Sequence, residues 1–144
     1  MKITMPQIAE YIERCRQGDY DSCFLDMLDM EQLLEVIRQL MEVYRNEPNA
    51  RVRAFFVEAV WQCRQLSAIP FLGEALHDAE SVVWKEALNG LVTLASPAAL
   101  DVLRSARVRH LGRQRDTEEF RNWVDEAIEQ AETTSPKNMS SEKT

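Results

Sequence analysis

Little in this chain breaks a helix. Its 144 residues hold four glycines and five prolines. Most of these stand where helices start or stop, so an all-helical chain is expected. No apolar run approaches the roughly 18 residues that a membrane span needs, and residues 1–13 lack the apolar core of a signal peptide. The three cysteines, Cys15, Cys23 and Cys63, are an odd number and contain no Cys-x-x-Cys pair, which excludes a fully paired disulfide framework. Each falls at or near an apolar helical position, so buried free thiols in a reducing cytoplasm are expected. Lysine is scarce, with four against thirteen arginines, and arginine is the residue of forked, specific contacts.

The net charge of −7 argues against general nucleic-acid binding, which needs a basic face. The charge is uneven. Residues 1–50 hold ten acidic and five basic side chains, whereas Arg104, Arg107, Arg109, Arg113 and Arg115 crowd a segment with no acid between Asp101 and Asp116. A chain of this length, 45% hydrophobic and 28% charged, is one soluble domain that buries roughly 68–70% of its extended surface on folding.

The organising stretch is residues 49–108, which carries one pattern twice at a spacing of 31. Val52 answers to Val83, Phe56 to Ala87, Val60 to Leu91, Ile69 to Leu100, Leu72 to Leu103 and Ala75 to Ala106. Each copy breaks into two amphipathic patterns. The first helices carry Val52, Phe55, Phe56, Ala59, Val60 and Cys63, then Val83, Ala87, Leu91 and Leu94. The second helices carry Ile69, Leu72, Ala75 and Leu76, then Leu100, Leu103 and Ala106. Such a hairpin cannot bury its stripe alone and must stack on a neighbour.

Asn49-Ala50-Arg51-Val52-Arg53 resembles the Asp-x-x-Val-Arg opening of a HEAT repeat, and Ala68 to Asp78 resembles its second helix, which leads into the next copy. In the second copy Trp84 stands where Arg53 stands in the first, so the arginine that bonds inside such stacks is missing there. The resemblance implies a right-handed α-solenoid of stacked antiparallel hairpins, about seven or eight helices in all. One domain is expected over residues 1–133, with clear repeats at 49–78 and 79–108, a capping helix at about 116–133 and a disordered tail at 134–144.

Outside the repeats, Thr4 and Pro6 read as a helix start and Gly18 as its end. A short helix with Cys23, Phe24, Met27 and Leu28 follows, then a strong one from Glu31 to Arg45 with Leu33, Ile37, Leu40, Met41 and Tyr44 inward. Asn49 is the expected cap of the first repeat. His110 to Arg115 reads as a connection, and the last helix carries Phe120, Trp123, Val124, Ala127, Ile128 and Ala131 over the open end.

Candidate chemistry is thin. Glu74 and His77 have the Glu-x-x-His spacing of di-iron bundles, but the second copy has Ser105 and Val108 there, so a surface pair is expected. His77-Asp78 resembles part of a metal phosphohydrolase motif, with His110 the one further histidine, and the repeated His-Glu pairs of HEAT-like hydroxylases are missing. Asp26 and Asp29 read as a solvated face. No glycine-rich phosphate loop, Gly-x-Ser-x-Gly elbow or Cys–His signature is present. No metal or cofactor is implied.

The expected activity is therefore non-catalytic protein binding by a bacterial cytoplasmic module. Second helices of successive hairpins line one concave wall, placing Glu74, His77, Asp101 and Arg104 together, extended by Glu35, Arg38 and Glu42. The arginine cluster reads as a solvated helix end, with Arg107 and Arg109 answering the helix dipole, or as a site for an acidic patch on another protein, with Arg107 among the partner-binding residues. Trp61 and Trp84 are hot spots if exposed. The partner is another protein. A small acidic helical protein resembles immunity proteins that cover the basic active-site cleft of a toxin. Two alternatives are a HEAT-like enzyme subunit of the bilin-lyase or chaperone type, and a DNA-binding glycosylase relative, whose basic groove this mixed wall does not match.

Overall fold

The computed structural model describes residues 3–20, 22–109 and 114–134. Among them are eight α-helices and no strand. The first, α1, spans Met5–Cys15. It opens with the Thr4 amide donating to Gln7 Oε1 at 2.7 Å and closes on Gly18, whose φ of +78° an L side chain resists. There the Gly18 amide reaches Cys15 O at 2.9 Å and the Asp19 amide reaches Arg14 O at 3.0 Å, two bonds that satisfy the carbonyls of the last turn. A short α2, Ser22–Asp26, follows. Its Phe24 stacks on Tyr11 with ring centroids 4.7 Å apart, taking the inward position.

Helix α3 is Met30–Arg45, capped reciprocally by Asp29 and Gln32. Helix α4 is Ala50–Gln62, with the Asn49 side-chain Oδ1 accepting from the Val52 amide at 3.1 Å. A 3₁₀ turn, Leu66–Ala68, leads into α5, Ile69–Ala75. Helix α6 is Ser81–Thr93, and α7 is Pro97–Ala106, capped by Ser96. Helix α8 is Gln114–Thr134. The period of 31 survives in the boundaries: Ala50 and Ser81 open α4 and α6, and Ala75 and Ala106 close α5 and α7.

The packing forms two rows. Helices α4, α6 and α8 lie side by side, while α5 contacts α6 and α7, and α7 contacts α8. Helix α3 packs on α4 and meets α5 through Tyr44, whose ring stands edge-on to Phe71 at 5.1 Å. Ile69, Leu72, Ala75, Leu76, Leu100, Leu103 and Ala106 are all buried, as are Phe56, Ala59, Val60, Cys63, Val83, Ala87, Leu91 and Leu94. Val52 and Phe55 are half-buried. Ala54, Val57 and Leu88 are buried as well, because α4 and α6 each have neighbours on two sides.

Several expectations are corrected. Cys23 is exposed, since α2 turns Phe24 inward instead; Cys15 and Cys63 are buried. The last helix begins at Gln114, so Gln114 and Arg115 are helical and not part of a connection. Its inward stripe is Phe120, Val124, Ala127 and Ala131, with Trp123 43% exposed at the margin. The segment His110–Arg113 and the expected tail beyond Thr134 lie outside the described residues. Phe120, fully buried beneath α8, contributes roughly 2–3 kcal/mol by leaving water. No helix among the described residues is long and apolar enough to cross a membrane.

Candidate protein-binding face

The row α3, α5, α7 is pinned from within by Asp78, just past the end of α5. Its carboxylate accepts from Arg53 Nε at 3.0 Å and Arg53 Nη2 at 3.1 Å. It also accepts from the Tyr44 hydroxyl at 2.8 Å and the Glu80 amide at 2.9 Å. Arg53 Nη1 in turn donates to the carbonyls of Glu47 and Pro48 at 3.0 and 2.9 Å. One aspartate thus ties α3, α4, the end of α5 and the approach to α6. Burial pushes the Asp78 carboxyl up, but the donors from Arg53, Glu80 and Tyr44 outweigh it and hold the group below its ordinary value.

Outward of this anchor lie the charged candidates, largely in pairs. Arg38 on α3 bridges Glu35 at 2.7 Å and Glu42 at 3.1 Å. Donation from Arg38 and then Gln39 brings Glu35 down to about 2. Arg45 forks onto both oxygens of Glu74, at 2.9 and 2.7 Å, linking α3 to α5. Glu74 therefore faces Arg45 and not His77, whose Nδ1 meets Gly73 O at 2.9 Å. The Glu-x-x-His pair is a sequence coincidence. On α7, Asp101 and Arg104 are exposed, and Arg104 reaches Glu132 of α8 at 2.8 Å.

The arginine cluster turns mostly inward on the protein's own groups. Arg107 pairs with Asp125, and Arg109 donates to the carbonyls of Leu76, His77 and Asp78 at 2.6, 3.1 and 3.3 Å. Arg109 therefore caps the end of α5 much as Arg53 caps the chain after α3. The arginine missing at Trp84 is answered from a different position, 31 residues beyond Asp78. The Arg109 guanidinium also lies 5.0 Å over the Phe120 ring. A cleft of about 400 Å³ between α6 and α8 is lined by Glu80, Ser81, Trp84, Arg109, Asp116 and Glu119. Its guanidinium is already committed to those three carbonyls.

Of the two tryptophans, Trp84 is corrected outright: it is 3% exposed, edge-on to Phe120 at 5.0 Å and to Trp123 at 6.4 Å, and offers a partner nothing. Trp61 is half-buried on the α4–α6 row, away from Glu35, Glu74 and Asp101. Its Nε1 donates to Glu86 at 2.8 Å, and its Cβ and Cγ lie 2.9 Å from where a side chain on Gly90 would begin. Gly90 is the residue that lets Trp61 approach α6 this closely.

What the sequence reading missed is apolar. Met30 and Leu34 on α3 and Leu66 ahead of α5 are exposed, at 56%, 44% and 63%. The signal for Met30 and Leu34 was present as the four–three spacing Met30, Leu34, Ile37, Met41, Tyr44, which shares Ile37 and Tyr44 with the core stripe and runs out of it toward the start of α3. Among the described residues no group of three or more His, Cys, Asp or Glu side chains could hold a metal ion.

A family model described as HEAT repeats matches residues 37–129. No curated protein and no solved structure matches the chain.

Proposed function

The chain belongs to the HEAT-repeat family, whose repeats generally mediate protein–protein interaction, and on that footing we propose that it is a non-catalytic binding module whose partner lies across α3, α5 and α7. The observation that carries this reading is the anchoring of that row. Asp78 and the Arg45–Glu74 fork hold α3 and α5 in fixed relation, so Glu35, Arg38 and Glu42 on α3 and His77 in the turn after α5 are presented beside Asp101 and Arg104 on α7, which packs on α5. An extended, side-chain-rich surface of this kind suits a protein better than a small molecule.

Within that class the partner proposed is cationic, the basic active-site cleft of a toxin being the specific case, in a bacterial cytoplasm. Its support is the net charge of −7. Because Glu35, Glu42 and Glu74 already hold arginines, the partner exchanges those pairings for its own, which makes the contact selective rather than merely attractive. Titrating a basic toxin nuclease domain with the chain is the test. Affinity that falls with salt and with Glu42→Lys plus Asp101→Lys supports the reading. Salt-insensitive association, or turnover of a bound chromophore without any protein partner, overturns it in favour of the enzyme-subunit alternative.

A further inference from the structure

Helix α3 has 16 residues and α5 has seven, so at 1.5 Å per residue α3 is roughly 24 Å long beside about 11 Å of α5. The ties between α3 and the end of the α5 hairpin gather at the last turn of α3, through Tyr44 to Phe71 and Asp78 and through Arg45 to Glu74. Along this side of α3 the chain is covered at Tyr44 and Ile37, half-covered at Met41 and open at Leu34 and Met30. Leu66, at the start of the 3₁₀ turn that leads into the short helix, is exposed as well.

Charge around this open stretch is mainly negative, the exceptions being Arg38 on α3 and Arg64, which lines a cavity with Asp26 and Leu33. Residues 26–41 contain Asp26, Asp29, Glu31 and Glu35 against Arg38 alone. Asp29 caps α3 and Glu35 holds Arg38, while Asp26 and Glu31 make no ion pair with a described residue. An apolar strip with an acidic rim is complementary to a helix with an apolar strip and a basic rim. Methionine in such a strip adapts to a range of opposing side chains. A second copy of this acidic chain would bring like charge to the same rim and is the poorer fit.

We propose that the open half of α3 seats an amphipathic helical segment of the protein partner, apolar along a four–three stripe and carrying lysine or arginine at its edges. This rests on the protein-binding reading above but names different residues: Met30, Glu31 and Leu34 test it, whereas Glu42 and Asp101 test the other.

The experiment uses the full chain with ¹³C-methyl-labelled methionine and three synthetic helical peptides. The first has leucine at four–three spacing and lysine at the flanks. The second has glutamate flanks, and the third has serine in place of leucine. The expected result is movement of the Met30 and Met41 methyl signals with the lysine-flanked peptide alone. Affinity should fall at least tenfold in Leu34→Glu and about threefold in Glu31→Gln, and should weaken as salt rises. Leu34→Gln, with its helix content checked by circular dichroism, guards against loss of fold. Three results overturn the proposal. One is shifts that bypass Met30, and another is equal binding of the glutamate-flanked peptide. The third is a concentration-dependent dimer of the chain alone that Leu34→Glu dissolves, which would make a second copy the occupant.

Discussion

Arg53 and Asp78, 25 residues apart, meet as a two-pronged pair, with Nε on one carboxylate oxygen at 3.0 Å and Nη2 on the other at 3.1 Å. Their side chains are only 17% and 8% exposed, so the pair is little screened by water. Asp78→Ala removes the acceptor of Arg53 Nε and Nη2, of the Tyr44 hydroxyl and of the Glu80 amide at once, leaving Arg53 only its bonds to the Glu47 and Pro48 carbonyls. It should cost about 3 kcal/mol in urea unfolding. Arg53→Lys should cost less but still weaken the stack, because a point charge cannot reproduce the fork.

The same pair sets an acid limit. The folded Asp78 carboxyl lies below its ordinary value of 3.8, so the stability it contributes is fully present above that value and is lost as pH falls through the folded one. Wild type and Asp78→Asn should differ most near neutrality. Below pH of about 4 the gap between their urea midpoints should narrow. A constant gap down to pH of about 2 would mean the carboxylate charge is not what Asp78 supplies.

Gly90→Ala sets two effects against each other. Alanine is the better helix former by about 1 kcal/mol, yet its methyl would lie 2.8–2.9 Å from Trp61 Cδ1, Cβ and Cγ. Atoms that close to the α4 backbone do not move cheaply, so net destabilisation of about 1–2 kcal/mol is expected, with a shift in tryptophan emission. Greater stability than wild type would show that the indole is free to swing away.

Glu86 carries the opposite proton linkage. Burial raises its carboxyl, the Trp61 N–H pulls it down, and Glu58 pushes it up again. A raised folded value means that ionisation weakens the fold as pH climbs through it. Glu86→Gln keeps an acceptor for Trp61 and removes the charge. It should be more stable than wild type by on the order of 1 kcal/mol at pH of about 7, and the advantage should vanish below pH of about 4.

Thiol labelling separates the cysteines. Burial drives Cys15 to about 11 and Cys63 to about 12, so both stay protonated at neutral pH as well as shielded. Cys23 is exposed. Native chain should take up one equivalent of iodoacetamide, at Cys23, and all three only after unfolding.

The helices and their stacking were legible because periodic apolar spacing survives any choice of neighbour: Ile69, Leu72, Leu100 and Leu103 are inward wherever the hairpins stack. Positions decided by neighbours were not legible. Trp84 lay beside its stripe and is buried only because α8 brings Phe120 over it. Cys23 sits in a five-residue helix, too short for its periodicity to indicate an inward face. For the candidate face, Glu35, Arg38 and Glu42 lie within two turns of one helix, so their pairing follows from i, i+3 and i+4 spacing. The Arg45–Glu74 fork and the Arg109 cap span 29 residues and about 31–33 residues, and no local rule announces such contacts.

Site-specific photocrosslinking in the cell of origin tests the central claim most directly. A benzophenone side chain is placed in turn at Glu42, His77 and Asp101 on the α3–α5–α7 row, and at Gln62 and Asn89 on the α4–α6 row. Protein adducts of one discrete size at the first three positions and none at the last two are the predicted result. Adducts confined to Gln62 and Asn89, or no protein adduct at any position, would contradict it.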